Sequence, residues 1–308
     1  DGAVWTHYLE ADIGCTLMQI PVNKVRPAID GAGHFWSKNC ILTRFDGQNW
    51  NQMDFGNTPA LPGAVYAITQ DTAGNLWFGG DFADNEEHIA KKTGDTWQTF
   101  SPIDLGITGP YPEVFTAHGD ALGNVWFGMI GGEILRFDDN AWSVVNDVNL
   151  AYPEVEDYWT INSDADGTVW FAGIMIGAVK TNLIRYKAGE WTYFPGSILS
   201  IPSDKFIISI AFGPDNTSWF LSNGGQMLKF DGANWSTINI ADSGLPFTIV
   251  RRMAVAPDGA VWLATDAGLA RFDGTVWTTY TTANSDIPSD DVHRINFDKA
   301  GGMYIGFN

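Results

Sequence analysis

Seven times along this 308-residue chain an apolar or tyrosyl residue is followed by proline: Ile20-Pro21, Leu61-Pro62, Tyr111-Pro112, Tyr152-Pro153, Ile201-Pro202, Leu245-Pro246 and Ile287-Pro288. The prolines lie 41, 50, 41, 49, 44 and 42 residues apart. After each comes an alternating stretch, a turn containing Gly or Asp, and an aromatic residue: Trp36, Trp77, Trp126, Trp170, Trp219, Trp262 and Tyr304. A second series, Trp5, Trp50, Trp97, Trp142, Trp191, Trp235 and Trp277, falls later in each unit. Self-similarity of this kind overrides any estimate of domain number from length alone. The stretch from Leu245 to Tyr280 shows one whole unit, four short strands turning at Pro257-Asp258-Gly259, at Asp266-Ala267-Gly268 and at Phe272-Asp273-Gly274.

Four short strands per unit of 40 to 50 residues is the pattern of a β-propeller blade. One blade cannot bury both faces of its sheet, so blades must stack around an axis. The sequence therefore predicts an all-β fold: a single seven-bladed β-propeller over residues 1–308 with four-stranded antiparallel blades. Both Trp series are expected between neighbouring blades. Asp1-Gly2-Ala3-Val4-Trp5 matches the fourth-strand start Asp273 to Trp277, and Gly302 to Asn308 matches a second strand. The last blade is thus expected to be closed by strands from both termini, about 1–10 with 289–308, which protects its edges; no third strand for it is found at either end. Starting inside a repeat, the chain is expected to have lost upstream sequence. Residues 79–90 and 172–181 are longer connections between second and third strands, on the face that carries the Pro loops, where long loops usually carry function.

The net charge of −19 argues against nucleic acid or an anionic membrane surface as partner. No run of eighteen apolar residues is present, so no membrane insertion of this segment is expected. The HExxH, GxSxG and Walker motifs are absent.

The pattern Leu/Ile-Pro, strand, Asp-x-x-Gly-x-Val/Leu-Trp-Phe-Gly, then Gly-Leu-x-Arg-Phe-Asp-Gly and Trp resembles the two-component regulator propeller repeat. Leu61 to Gly79, Val125 to Asp138 and Pro257 to Trp277 carry the resemblance most clearly. It implies the extracytoplasmic (periplasmic or secreted) sensor of a hybrid histidine kinase, often concerned with polysaccharides. The 308 residues hold one ring without the immunoglobulin-like domain, membrane span or kinase of that pattern, so either an excised domain or a free-standing propeller is expected. A more distant resemblance is to streptogramin B lyases, seven-bladed metal-dependent enzymes. The histidines here, His7, His34, His88, His118 and His293, fall at dissimilar repeat positions.

Counting back from each aromatic anchor aligns the first strands. Ten back stand Arg26, Ala67, Thr116, Thr160, Ser209, Arg252 and Arg294; eight back stand Ala28, Thr69, His118, Asn162, Ala211, Ala254 and Asn296. The residues nine back are mostly apolar, so alternation puts the small or polar set on one side, expected to face the central channel. Arg26, Arg252 and Arg294 belong to neighbouring units, with Lys24, Arg251 and His293 close by. Tyr66, Phe115 and Trp159, eleven back, form an aromatic arc. Arginine forks suit carboxylate or phosphate groups. These residues, with His118, predict a binding site for a small anionic ligand or oligosaccharide, and no catalytic residue. The opposing structural expectation is that the arginines pair with Glu113, Asp157, Asp290 or Asp291. The alternatives are a protein-interaction scaffold using the long loops, or a metal-dependent lyase.

No cofactor is expected. Calcium at Asp81, Asp84, Glu86 and Glu87 is a weaker candidate; Asp164 to Gly167 reads as turn chemistry. Cys15 and Cys40 map to one face of one blade, where a disulfide is expected to form in an oxidising compartment.

Overall fold

The computed structural model describes residues 28–29, 34–38, 42–53, 64–81, 89–101, 104–107, 113–138, 141–145, 155–175, 181–196, 198–202, 204–297 and 301–307. The chain divides into two compact units, residues 1–146 and 147–308.

The first unit holds three four-stranded antiparallel meanders. They are β1 (Ala28–Ile29), β2 (Phe35–Lys38), β3 (Leu42–Phe45) and β4 (Trp50–Met53); β5 (Ala64–Gln70), β6 (Leu76–Asp81), β7 (Ile89–Thr93) and β8 (Thr96–Phe100); and β9 (Val114–Gly119), β10 (Val125–Met129), β11 (Ile134–Asp138) and β12 (Ala141–Val145). The second unit repeats the plan with β13 (Val155–Ser163), β14 (Val169–Met175), β15 (Thr181–Lys187) and β16 (Glu190–Pro195). Then come β17 (Ile207–Phe212), β18 (Ser218–Ser222), β19 (Gln226–Phe230) and β20 (Trp235–Asn239), and next β21 (Val250–Val255), β22 (Val261–Thr265), β23 (Gly268–Phe272) and β24 (Trp277–Tyr280). It ends with the pair β25 (Val292–Phe297) and β26 (Met303–Phe307). The one helical turn among the described residues is a 3-10 segment, Ile240–Ser243. The four-strand repeat expected from the sequence is present in six sheets; residues 1–10, expected to complete the seventh, lie outside the described residues.

The aromatic anchors sit where neighbouring sheets meet, as expected. In the first unit, Trp77 on β6 is buried and meets Trp142 of the next sheet edge-on, with ring centroids 6.0 Å apart. Phe137 and Phe127 complete its cage. In the second unit, Trp170 on β14 meets Trp235, Phe220 and Phe230 in the same way. Trp77 and Trp170 thus each join their own sheet to the following one. A buried Trp removes some 150–250 Å² from water, so this recurring contact is the main adhesive between sheets.

The Asp-x-x-Gly motif explains how two of the anchors, Trp77 and Trp126, are held. Asp71 caps its turn by accepting from the N–H groups of Ala73 and Asn75 through one oxygen. Through the other it accepts from the Asn75 side chain and from the indole N–H of Trp77 at 2.9 Å. Asp120 does the same for Leu122, Asn124 and Trp126. The Gly of the motif takes positive φ, 85° at Gly74 and 93° at Gly123. The β17–β18 turn uses Asn216 there at φ 61°, a conformation that Asn tolerates better than most side chains.

Between neighbouring first strands, the small-or-polar set makes bonds across the gap. Thr69 Oγ1 accepts from Gly119 N at 2.8 Å. Asn162 Nδ2 donates to Ile210 O at 2.7 Å, and Ser209 Oγ bonds the backbone of Met253. A methyl group on Gly119 would stand 1.9 Å from Gln70 O, so β5 and β9 approach as closely as backbones can there.

Candidate functional site

Six first strands carry a β-bulge at the same place. In β5 the register steps from Val65↔Gly80 to Ala67↔Gly79, leaving Tyr66 as the extra residue. The others skip Phe115 in β9, Trp159 in β13, Ile208 in β17, Arg251 in β21 and His293 in β25. These are the residues eleven back from the anchors. The residue before each bulge is buried (Val65, Val114, Tyr158, Ile207, Val250, Val292), and so is the residue nine back (Ile68, Ala117, Ile161, Ile210, Met253, Ile295). Two buried residues three apart leave the two between them on the other face of the sheet, where Ala67 and Ile208 pack against the next sheet. Bulges re-aim side chains and recur next to functional sites. Here they double the row: Arg251 with Arg252, and His293 with Arg294. Simple alternation does not reveal this pairing; the apolar residues spaced by three are its signal in the sequence. Ile208 belongs to the row and was not expected in the site.

In the second unit, β21 and β25 pack side by side. Arg251 NH2 reaches across to Asp291 Oδ1 at 2.6 Å, and His293 Nε2 lies 3.2 Å from Asp291 Oδ2. Asp291, one of the acidic partners foreseen, thus pairs with Arg251, and Asp290 accepts from Thr282 N at 2.7 Å. Burial disfavours the Asp291 carboxylate, but the hydrogen bonds and positive charges of Arg251 and His293 outweigh it and hold its pKa below the usual value. Arg252 donates to Arg251 O at 2.8 Å, and burial pushes its guanidinium below its ordinary pKa. Small residues sit opposite both inner arginines: Ala264 pairs with Arg252, and Gly306 with Arg294. A Cβ on Gly306 would meet Arg294 Cβ at 3.1 Å, so the glycine gives Arg294 room to lie across β26.

Trp159 is the one Trp outside both repeat series, and it is 37% exposed where four of the anchor Trp are buried to within 1%. Its ring lies 5.1 Å from that of Phe206. Phe206, also not foreseen, is pinned through both backbone groups: its N–H donates to Asn223 Oδ1, and its carbonyl accepts from Asn223 N. In the first unit Tyr66 and Phe115 have ring centroids 6.3 Å apart, and half-buried His118 stands cross-strand from Trp126.

Arg26, Lys24, Asp84, Glu86, Glu87, Cys15 and Cys40 lie outside the described residues, as does the side chain of Asp81. Among the described residues no three His, Cys, Asp or Glu side chains gather as metal ligands. No described helix is long and apolar enough to cross a membrane.

Six other basic residues have a structural role. Arg44, Lys91, Arg136, Arg185, Lys229 and Arg271 pair cross-strand with the anchors Trp36, Trp77, Trp126, Trp170, Trp219 and Trp262. The first five lie over their rings, at 6.0, 4.9, 5.2, 5.7 and 5.3 Å from the centroid. Arg271 instead pairs with Asp258 at 3.0 Å. Arg251, Arg252 and Arg294 fall outside this pattern, which sets them apart as residues not required by the repeat.

A family model described as two component regulator propeller matches residues 61–82, which run from the Pro loop through β5 and the Asp71 turn to Trp77 and just past β6. The repeat resemblance read from the sequence is therefore borne out. No curated protein sequence matches the chain. Among solved structures, a streptogramin B lyase superposes with TM-score 0.68 at 14% identity, covering 94% of this chain and 92% of that one. The extracellular domain of the hybrid two component system BT3049 from B. thetaiotaomicron gives TM-score 0.65 at 19% identity, covering 92% of this chain and 38% of that one. PorZ, a bacterial surface component of the type-IX secretion system of Porphyromonas gingivalis, gives 0.68 at 13%, covering 92% of this chain and 45% of that one. Likeness at these identities shows the fold alone: an all-β propeller.

Proposed function

We propose that this chain is a non-enzymatic, extracytoplasmic binding or sensing propeller whose ligand is anionic and carbohydrate-like. The observation that carries the reading is the bulged row: at a position filled by aromatic or aliphatic residues in the other bulged strands, β21 and β25 carry Arg251 and His293 beside Arg252 and Arg294. Arginine donors would take the ligand's carboxylate or sulfate. The exposed Trp159 with Phe206 would take an apolar sugar face. The extracytoplasmic placing is supported by solved relatives of the same fold that are extracellular domains. Seven blades closed by both termini belong to the same proposal, supported by the repeat count.

Calorimetric titration with a panel of acidic and neutral oligosaccharides tests the reading. Binding of acidic members is expected, weakened by added salt and reduced at least thirtyfold, roughly, by Arg252→Ala. Binding of neutral members alone would refute it, and divalent-metal-dependent turnover of a ligand would replace it with the lyase alternative.

A further inference from the structure

Asp291 is the most exposed member of its cluster, with a side chain 37% accessible against 17% for both Arg251 and His293. Both of its oxygens are engaged, one by each of two bulge residues from adjacent sheets. The segment that carries it is fixed independently of the carboxylate. Asp291 N donates to Ser289 Oγ, and Asp290 O accepts from Gly268 N at 2.7 Å. Rotation of one short side chain would therefore free Arg251 and His293 without moving the backbone.

Asp291 also leaves Arg251 incompletely used. It contacts NH2, while Arg251 Nε is buried and has no hydrogen-bond partner among the described residues. A carboxylate presented side-on can bond Nε and NH2 together, the stronger bidentate arrangement.

We infer that Asp291 is an internal competitor for the ligand: it holds Arg251 and His293 until an incoming carboxylate or sulfate displaces it. This rests on the binding reading above. It makes Asp291 a specificity determinant, since a ligand must out-compete a carboxylate already in place, and weak or singly hydrogen-bonding anions will fail to do so.

The test is calorimetric titration of wild type, Asp291→Asn, Asp291→Ser and the Arg251→Ala/Asp291→Asn double variant with trigalacturonate, with maltotriose as the neutral control. Thermal unfolding of each variant confirms that it is folded. Both single variants are expected to bind trigalacturonate about tenfold more tightly than wild type, and the gain should vanish in the double variant; a tenfold change is ~1.4 kcal/mol. If wild type binds and the single variants bind equally or more weakly, Asp291 is a bystander or a ligand contact, and this inference falls while the binding site stands. If none of the proteins binds trigalacturonate, this inference and the acidic-sugar reading fall together.

Discussion

The carboxylate of Asp120 accepts the indole N–H of Trp126 at 2.8 Å while its other oxygen caps the turn that leads to that Trp. One side chain thus fixes both the turn and the buried indole of Trp126. Replacing Asp120 by Ala should leave buried donors unpaired and cost about 3 kcal/mol. Urea unfolding should show a lower midpoint with an unchanged slope.

Thr168 stands in the β13–β14 turn where Asn124 stands in the β9–β10 turn. Asn124 bonds Asp120 and accepts from Arg136 at Nε and NH2. Thr168 cannot span these partners. In its sheet Thr168 Oγ1, Trp170 Nε1 and Arg185 Nε are all buried without a hydrogen-bond partner among the described residues. Thr168→Asn should restore the network and stabilise the protein by about 1–2 kcal/mol, read as a higher unfolding temperature.

Trp77→Ala and Trp159→Ala should part company. The first empties an inter-sheet core and should cost about 3–5 kcal/mol. The second removes a partly exposed ring and should change stability by no more than roughly 0.5 kcal/mol, while reducing affinity for acidic oligosaccharides. Stability loss of similar size in both would assign Trp159 to the architecture.

Acid should unfold the protein through its turns. The Asp273 and Asp231 carboxylates are held below their ordinary pKa chiefly by backbone N–H groups of their own turns, and Asp215 by the Thr217 hydroxyl. A folded pKa below the unfolded one contributes stability above the unfolded value and loses it as pH falls through the folded one. Unfolding free energy should stay level from pH 7 to about 5 and fall below about pH 4, where free Asp titrates. Asp273→Asn should flatten that fall in denaturant titrations run across the pH range.

Much of the architecture was legible because it is periodic. The Pro loops and both aromatic series each place one residue per unit, the Asp-x-x-Gly turn recurs in most units, and the strands form where those marks fall. The bulge was harder to read. Tyr66 and Arg251 count correctly from their anchors, but counting along one strand does not show that its partner has skipped a residue. The Arg251–Asp291 contact was only one of several foreseeable pairings, since it depends on how the loop before β25 folds back. Of the basic residues over the anchors, Arg44 stands in an Arg-Phe-Asp-Gly run and Lys229 in Lys-Phe-Asp-Gly, while Lys91, Arg136 and Arg185 depart from that pattern. Their role needed the cross-strand register that sets Arg136 opposite Trp126.

The bulge has an evolutionary and practical consequence. Tyr66, Phe115, Trp159, Ile208, Arg251 and His293 each form the extra residue of a bulge, and of these Phe115 is buried and Ile208 packs on the core. Aromatic, aliphatic and cationic side chains already share this position without any change in the sheet that carries it. The scaffold therefore separates what must be kept from what can be varied wherever that position lies outside the core. Exchanging Tyr66, Trp159, Arg251 and His293, which stand outside the buried core, is a direct route to new selectivity on an unaltered frame.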